Sequence, residues 1–580
     1  EQLAAHVRER TADSSLPPAL HALLAARLDG LDAAERRVIQ AGAIEGETFH
    51  VGGLEALVPG PGTAGVQAAL DALVRRELVR PAFPFVAGQR AFRFGHALVR
   101  DAAYEAMPLA MRADAHEQLA QWLVDLGGAV PEASARIGTQ LERAHRAASE
   151  LRVPAPRLEA LAHAAAARLA EAAERVHRRG DLPSEIAFLE RALALLAPGD
   201  RAREELLPAM GTALFEVSSL ERAERVADEA AASGIERVRL RGEVERARMV
   251  AYRHPESVDP AVGLAVAEQA AVALEALGDD VGVARARCLM CELAWMQGAS
   301  ERGLSEARTA LEFARRDPAG TVDLDATVSV IAWALVVNRV PVAQARAECA
   351  ELLALVAGRR FAELGVRGFV AVLDAMAGHF AQARVQLVRS REGLRELGLR
   401  QASIWMAVFD AEVRLLAGDP ASAEDALDDA GRVAGEIGDR LFLATIRVDR
   451  AHALLAQERL AEAAQAVALI DEGPAPNDLE WRVKRLAARG RLAAREGRAE
   501  EALADARAAV ALADSSDMFV YRADAWRDLA EVAERVGAPE EAAAARATAL
   551  RLYRAKGNVA AARQLARFRR RPRQAQPVDG

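Results

Sequence analysis

The residues that could do chemistry are few. Cys288 and Cys291 form a Cys-x-x-Cys pair, but zinc wants four ligands, and neither Cys349 nor any histidine lies near them in sequence. His116-Glu117 begins a His-Glu-x-x-His motif, yet position 120 is Ala, so the second metal ligand is missing. The one glycine-rich loop, PGPGTAG at 59–65, has no lysine to reach a β/γ-phosphate and no strand before it. It is expected to be a loop between helices. Only two lysines occur, Lys484 and Lys556, and no Ser/His/Asp set has a nucleophile elbow. Neither a catalytic nor a metal site is expected. Between 70 and 100 the arginines Arg75, Arg76, Arg80, Arg90, Arg93 and Arg100 outnumber Asp71 and Glu77, a basic segment that could touch phosphates or a neighbouring domain.

The elements that must position any site come from a repeat. In the stretch RRGDLPSEIAFLERALALLAP at 178–198, a Gly-Asp turn leads into a helical run with Ile186, Leu189, Leu193 and Leu196, and Pro198 ends it. A second helical run at 156–177 precedes the turn. The same turn position recurs at Gly180, Ser218, Val258, Gly298, Asn338, Gly378, Gly418, Glu458, Gly497 and Gly537, at intervals of 38, 39 or 40 residues. Small residues recur seven before the turn and five and twelve after it, filling 27 of 30 places. A small side chain at each crossing lets two helices approach closely. The fold class expected is mainly α, an α-solenoid of about ten helix-turn-helix repeats.

Composition agrees. Hydrophobic residues make up 52% of the chain and aromatic ones only 4%, which suits thin stacked helices. A net charge of −9 gives no global nucleic-acid signature. Three cysteines point to a reducing compartment, so a cytoplasmic location is expected. The longest uncharged apolar run, 326–337, is too short to span a bilayer, and no membrane partner is expected. The chain begins at Glu1, and a fragment of a longer protein is expected. Ahead of the repeats, a short helix at 1–15 precedes a helix opened by Pro17 and Pro18. Asp32 and Glu35 have capping-box spacing, and Val66, Leu70, Leu73 and Val74 share one helix face. Strands are expected at 78–83 and 90–94. Three helices and a hairpin predict a winged-helix domain over 16–108, followed by capping helices at 109–155, a superhelix at 156–565 and a basic disordered tail at 566–580.

The small-residue pattern resembles the tetratricopeptide repeat family, best at Trp526, Ala530, Ala542 and Ala549. That family repeats at about 34 residues, so the longer period leaves HEAT-type repeats as the alternative. The segments ALLAARLDGLDAAERRVIQAGAIEGETF, LDALVRRELVRP and FRFGHALVRDAAYEAM resemble the winged-helix arm of STAND-type signalling ATPases, including LuxR-type and cyclase-associated regulators. The resemblance implies a P-loop ATPase upstream, which would hold the ATP or ADP, with no cofactor in this chain. It implies that His96, with Arg100, approaches that nucleotide, although an ordinary capping or packing role for His96 competes. It also implies that Arg75, Arg76, Arg80, Arg90 and Arg93 meet the ATPase or neighbouring helices and do not read DNA directly. No helix-turn-helix is expected after Val559. The first helix of each repeat would line a concave groove on the order of 100 Å long, at ~10 Å per packed layer. Trp295 and Trp405 would anchor a protein or small-molecule effector there. The function implied is the regulatory, effector-sensing half of a signal-transduction ATPase or transcriptional regulator. A stand-alone interaction scaffold and a DNA-binding regulator are the alternatives.

Because no lysine stands in a phosphate-binding loop, purified chain should hydrolyse no ATP above background. Turnover that a point change within residues 1–580 abolishes would overturn this reading.

Overall fold

The computed structural model describes residues 27–58, 60, 62–316, 323–472 and 477–568. The helix expected at 1–15, the prolines at 17 and 18 and the tail from 569 lie outside the described residues. Contacts divide the chain into two compact units. One holds the described residues up to Val176 together with Ser184–Leu206, and the other holds His177–Pro183 and the chain from Leu207 onward.

In the first unit, α1 (Ala33–Glu45) starts at the expected capping box. Asp32 Oδ1 accepts from the Ala34 and Glu35 amides at 2.8 Å each, and Glu35 Oε2 accepts from the Asp32 amide at 3.1 Å. Next come β1 (Thr48–His50), α2 (Val51–Leu57) and α3 (Gly62–Arg75), then β2 (Val79–Ala82), β3 (Ala91–Phe94) and α4 (Ala97–Glu105). The strands form one antiparallel sheet in the order β1-β3-β2. The hairpin strands fall inside the two expected spans. β1 was not expected, since three residues are too few to show alternation. Val66, Leu70 and Leu73 of α3 are buried against Ile39, Phe49, Phe92 and Phe94. The helices expected between 109 and 155 are α5 (Leu109–Asp125) and α6 (Ala133–Glu150), and α7 (Ala155–His177) and α8 (Leu182–Leu195) follow.

The second unit is a run of helix pairs, the first of whose helices begins with residues of the first unit, up to Leu206. The first helices of the pairs are α9 (Arg201–Glu216), α11 (Glu236–Arg253), α13 (Asp280–Met296), α15 (Asp323–Val337), α17 (Arg360–Ala377), α19 (Arg400–Ala417), α21 (Arg440–Ala456), α23 (Leu479–Arg495) and α25 (Phe519–Arg535). Their partners are α10 (Leu220–Ala231), α12 (Pro260–Ala276), α14 (Ser300–Ala314), α16 (Val342–Leu355), α18 (Phe380–Glu396), α20 (Pro420–Ile437), α22 (Leu460–Glu472), α24 (Ala499–Asp514) and α26 (Pro539–Lys556), with α27 (Val559–Phe568) last. From α10 onward each helix packs on the next, as an α-solenoid requires. Most of the turn positions are left-handed, for example φ 98° at Gly378, 82° at Gly418 and 57° at Glu458, whereas Val258 has φ −70°. Helices such as α17, α19 and α20, each 18 residues long, absorb the length beyond the tetratricopeptide period.

The small positions are the helix crossings. Ala371, Ala383, Ala411, Ala423, Ala451 and Ala463 are all buried. One repeat departs from the register: Ala343 and Ala350 are exposed, and Ala345 and Cys349 take the buried places. The reason is the turn. After α15 the chain runs through residues 338–341 before α16 begins, two residues later than the spacing at Gly378 predicts. The lengthened turn leaves carbonyls pointing inward, and Lys556 Nζ donates to those of Leu335, Asn338 and Val340 at 2.8, 2.6 and 2.7 Å. An ammonium at a helix C-terminus satisfies both the orphan acceptors and the dipole.

Among the described residues, backbone approaches a glycine most closely at Gly242 of α11. A Cβ built there would lie 2.3 Å from the Ala231 amide nitrogen and 2.5 Å from the Ala230 carbonyl carbon of α10. Backbone cannot yield as a side chain can. Gly242→Ala should therefore cost ~1–3 kcal/mol by overpacking despite its better helix propensity. Denaturant unfolding checks it, and an unchanged midpoint would mean the two helices do not meet at this residue.

Candidate functional site

The first helices of the pairs turn their faces inward, and helices five repeats apart touch: α11 meets α21, α13 meets α23, α15 meets α25 and α17 meets α27. The superhelix thus completes a turn in about five repeats and stacks on itself. Trp295 Nε1 donates to Glu480 Oε2 at 3.2 Å, the Gln401 amide donates to Ser218 Oγ at 2.7 Å, and Arg440 donates to Glu256 Oε1 at 2.8 Å. This corrects the expectation of an open groove. The concave faces close on one another across the axis.

Aromatic rings fill the axis. Phe215, Tyr252, Phe442, Trp405, Trp333, Trp295 and Tyr521 form a chain with successive centroids 5.4, 6.4, 5.8, 5.6, 4.8 and 5.7 Å apart. Such tilted contacts suit the ring quadrupoles. Beside this chain lies a cavity of ≈ 90 Å³, which opens onto solvent. Phe215, Tyr252, Phe369 and Trp405 supply rings to its wall, and Glu216, Arg248, Arg285, Glu292, Ser329 and Gln401 supply polar groups.

The polar wall is a buried charge cluster. Arg285 Nε donates to Glu245 Oε1 at 2.6 Å, and Arg248 Nη2 donates to the Arg285 carbonyl at 3.3 Å. Burial opposes the charge of Glu245, but Arg285 and Arg248 hold its carboxyl down to about 2. Burial pushes Glu292 up against the pull of Arg248. Arg248 Nε and Glu292 Oε2 face each other at 3.6 Å, beyond hydrogen-bond reach, and neither has a hydrogen-bond partner. Gln401 is held from behind: its Nε2 donates to Asp439 Oδ2 at 3.1 Å, and Asp439 also caps α21 through the Phe442 amide at 2.9 Å.

Of the residues singled out from sequence, Trp405 lines the cavity. Trp295 is buried between Trp333 and Tyr521 in the aromatic chain, so no open groove wall presents it. His96 is exposed at the start of α4, where its Nδ1 accepts from the Leu98 amide at 3.1 Å. Arg100 pairs with Asp101 at 2.5 Å. Arg80 and Arg93 are cross-strand partners, Arg90 donates to Gln67 at 2.6 Å, Arg76 reaches Glu35 at 3.4 Å, and Arg75 is exposed at the end of α3. Cys288, Cys291 and Cys349 are buried, and among the described residues no group of three or more His, Cys, Asp or Glu could hold a metal ion. Burial raises the Cys291 thiol far above its ordinary range. His116 is enclosed by Tyr104 at 2.9 Å and Gln140 at 2.6 Å, and burial pulls it down to about 4.

Glu245, Arg248, Arg285 and Glu292 were missed in sequence, although a signal was present. Glu245, Arg285 and Trp405 all stand thirteen residues before their turns, as do Asp325, Gly365 and Lys484. This position faces the axis, and its residue type changes from repeat to repeat. Tyr252, Glu292, Glu412 and His452 hold the next axial position, six before the turn. A scan for constant small residues passes over both.

No family model matches the chain, and no curated protein matches it. Solved structures similar to it include a Rap protein complexed with competence and sporulation factor, at 12% identity and TM-score 0.47, covering 63% of this chain and 98% of that one. A STAND protein with a tetratricopeptide repeat sensor from Pyrococcus horikoshii is similar at 15% identity and TM-score 0.37, covering 79% and 67%. The apo form of the quorum sensor NprR from B. thuringiensis is similar at 13% and 0.37, covering 60% and 98%. At those identities and TM-scores none of them decides what this chain does, and its fold rests on its own helix contacts.

Asp439 yields a pH dependence. Burial lifts it from 3.8 to about 7, against hydrogen bonds from Phe442 and Gln401. A raised carboxyl stabilises the fold fully below its unfolded value, and that contribution is lost as pH rises through about 7. Asp439→Asn should therefore be more stable than wild type at pH 8, by at most ~4 kcal/mol, with the advantage shrinking toward pH 4. Unfolding midpoints of the two proteins across pH 4–8 test it, and a constant difference would refute it.

Proposed function

We propose that this chain is the regulatory, effector-sensing half of a STAND-type signal-transduction ATPase. The observation that carries the reading is the cavity at the superhelix axis. Its wall draws on α9, α11, α13, α15, α17 and α19, so residues from Phe215 to Met406 border one space. A ligand that binds across so many stacked repeats biases how tightly the superhelix is wound, and a winding equilibrium is what a sensor needs. The effector is a small molecule or one end of a peptide, since the axis leaves no open trough.

In this reading the four helices and three-stranded sheet of residues 33–105 act as a winged-helix arm. Arg75, Arg80, Arg90 and Arg93 meet an ATPase encoded ahead of Glu1, and His96 with Arg100 approaches its nucleotide. ATP or ADP belongs to that module, because this chain offers no lysine for a phosphate loop. No helix among the described residues is long and apolar enough to cross a membrane.

The test is the full open reading frame and its product. A P-loop should precede residue 1, and ATP turnover of the whole protein should change several-fold when Ala402→Trp fills the cavity from its wall. A parent without a P-loop would leave an interaction scaffold. Turnover indifferent to a folded Ala402→Trp protein would remove the cavity from sensing.

A further inference from the structure

Where helices five repeats apart meet, helix ends are capped from across the seam. The N-terminus of α14 has no side-chain cap of its own, since Ala299 stands there. Asp517, in the turn before α25, supplies one: Oδ1 accepts from the Ser300 amide at 2.5 Å, and Oδ2 accepts from the Glu301 amide at 3.1 Å. The Asp517 amide donates to the Gly298 carbonyl at 3.1 Å. The turn after α15 receives Lys556, at the end of α26, on the carbonyls of Leu335, Asn338 and Val340. Both contacts match the helix dipoles in sign. A carboxylate meets the positive end of α14, and an ammonium meets the negative end of α15. Asn338 Nδ2 donates to the Ser300 carbonyl at 3.1 Å, so these two helix ends lie side by side. Tyr553 Oη donates to Asp524 Oδ1 at 2.5 Å, so the end of α26 lies beside the start of α25 as well. Between the two contacts runs an open groove of ≈ 570 Å³, bordered by Glu301 at one, Val340 at the other and Ala555 of α26. Among the described residues no carboxylate pairs with Lys556, and burial pulls it down to about 7. Its titratable neighbour, the Cys349 thiol of α16, is pushed up to about 12 and stays neutral. A buried ammonium held only by carbonyls is costly, so the closed contact is poised and not locked.

We propose that Asp517 and Lys556 are the two pins of a clasp by which the pair α25–α26 closes the superhelix onto the turns after α13 and α15, and that the pins release together. Both pins sit at one end of a hairpin whose inner residues, Ala525, Leu529 and Ala530 of α25 and Ala545 of α26, are buried in one core. The hairpin moves as one body, and neither pin leaves alone. It stands near the end of the repeat array, where partial opening costs least. The clasp rests on these seam contacts and not on the sensor reading. It does reach the candidate site, because α15 also supplies Ala326, Ser329 and Val330 to the cavity wall.

The chain has only two lysines, so acetylation by an N-hydroxysuccinimide ester reads the clasp directly. Lys484 is the control, because its partners Glu412, Asp449 and Glu480 lie on α19, α21 and α23, outside the clasp. In the 580-residue chain at pH 8, Asp517→Ala should speed acetylation of Lys556 several-fold and leave Lys484 as in wild type, read by peptide mass spectrometry. Lys556→Met should speed hydrogen exchange of the Ser300 and Glu301 amides several-fold, although these bond to Asp517 and not to Lys556. The Gln401 amide, held by Ser218 elsewhere on the seam, should stay protected. An unchanged Lys556 rate in a folded Asp517→Ala protein overturns the clasp, as do unchanged Ser300 and Glu301 amides in a folded Lys556→Met protein. Loosening of Lys484 or Gln401 in step with the pins overturns it too, since the whole superhelix would then be opening. Should one variant not fold, the other decides alone. A parent frame without a P-loop removes the sensor reading and leaves these rates standing, whereas pins that release separately leave the cavity's part in turnover untouched.

Discussion

Everything in the second unit depends on how closely successive helices approach. At Gly242 the α10 backbone lies where a Cβ would be, and at Gly490 the Ala502 carbonyl oxygen would be 3.0 Å from one. Contacts of this kind are possible only because a small residue recurs at each crossing. The approach fixes the rotation from one repeat to the next, and that rotation brings helices five repeats apart into contact. An α-solenoid with bulkier crossings would open into a wider coil. Here the coil is tight enough that its inner faces meet, and a site can be built from residues nearly two hundred positions apart.

The interior that results is unusual in composition. The crossings are filled by Ala, Leu and Val, and the scarce aromatic rings gather along the axis from Phe215 to Tyr521. Charges follow them. Lys484, one of the chain's two lysines, is surrounded by Glu412, Asp449 and Glu480 at 3.2, 3.0 and 2.8 Å. The other, Lys556, ties the last repeats to the lengthened turn after α15. Buried charges of this sort contribute little net stability, but removing one partner is costly. They therefore hold the turns of the superhelix in one register. The cavity stands where this ordered axis is incomplete.

Much of this was legible beforehand. The 40-residue beat, the turns at Gly378 and Gly418, the buried Ala423 and the capping box at Asp32 follow from local chemistry: turn residues, helix period and close approach. Where the reading slipped, the cause was local too. Two extra residues after Val337 moved the buried positions from Ala343 and Ala350 to Ala345 and Cys349, and Asn338 carries no glycine-like mark to reveal it. Trp405 was found because a lone aromatic stands out on an axial face. Glu245 and Arg285 were not, because one charged residue per repeat looks like ordinary solvated surface until its partner forty residues on is placed beside it.

The amino-acid sequence by itself determined the helix pairs, their crossings and the order of the repeats, because each of these is settled by residues within one period of each other. Only the tertiary structure decided that the concave faces meet, that Trp295 is enclosed, and that Arg248 and Glu292 are brought together at 3.6 Å. The physical reason is accumulation. A small rotation per repeat, set by side-chain packing at each crossing, adds up over five repeats into a contact or a gap, and no stretch of sequence shorter than the whole turn contains that sum.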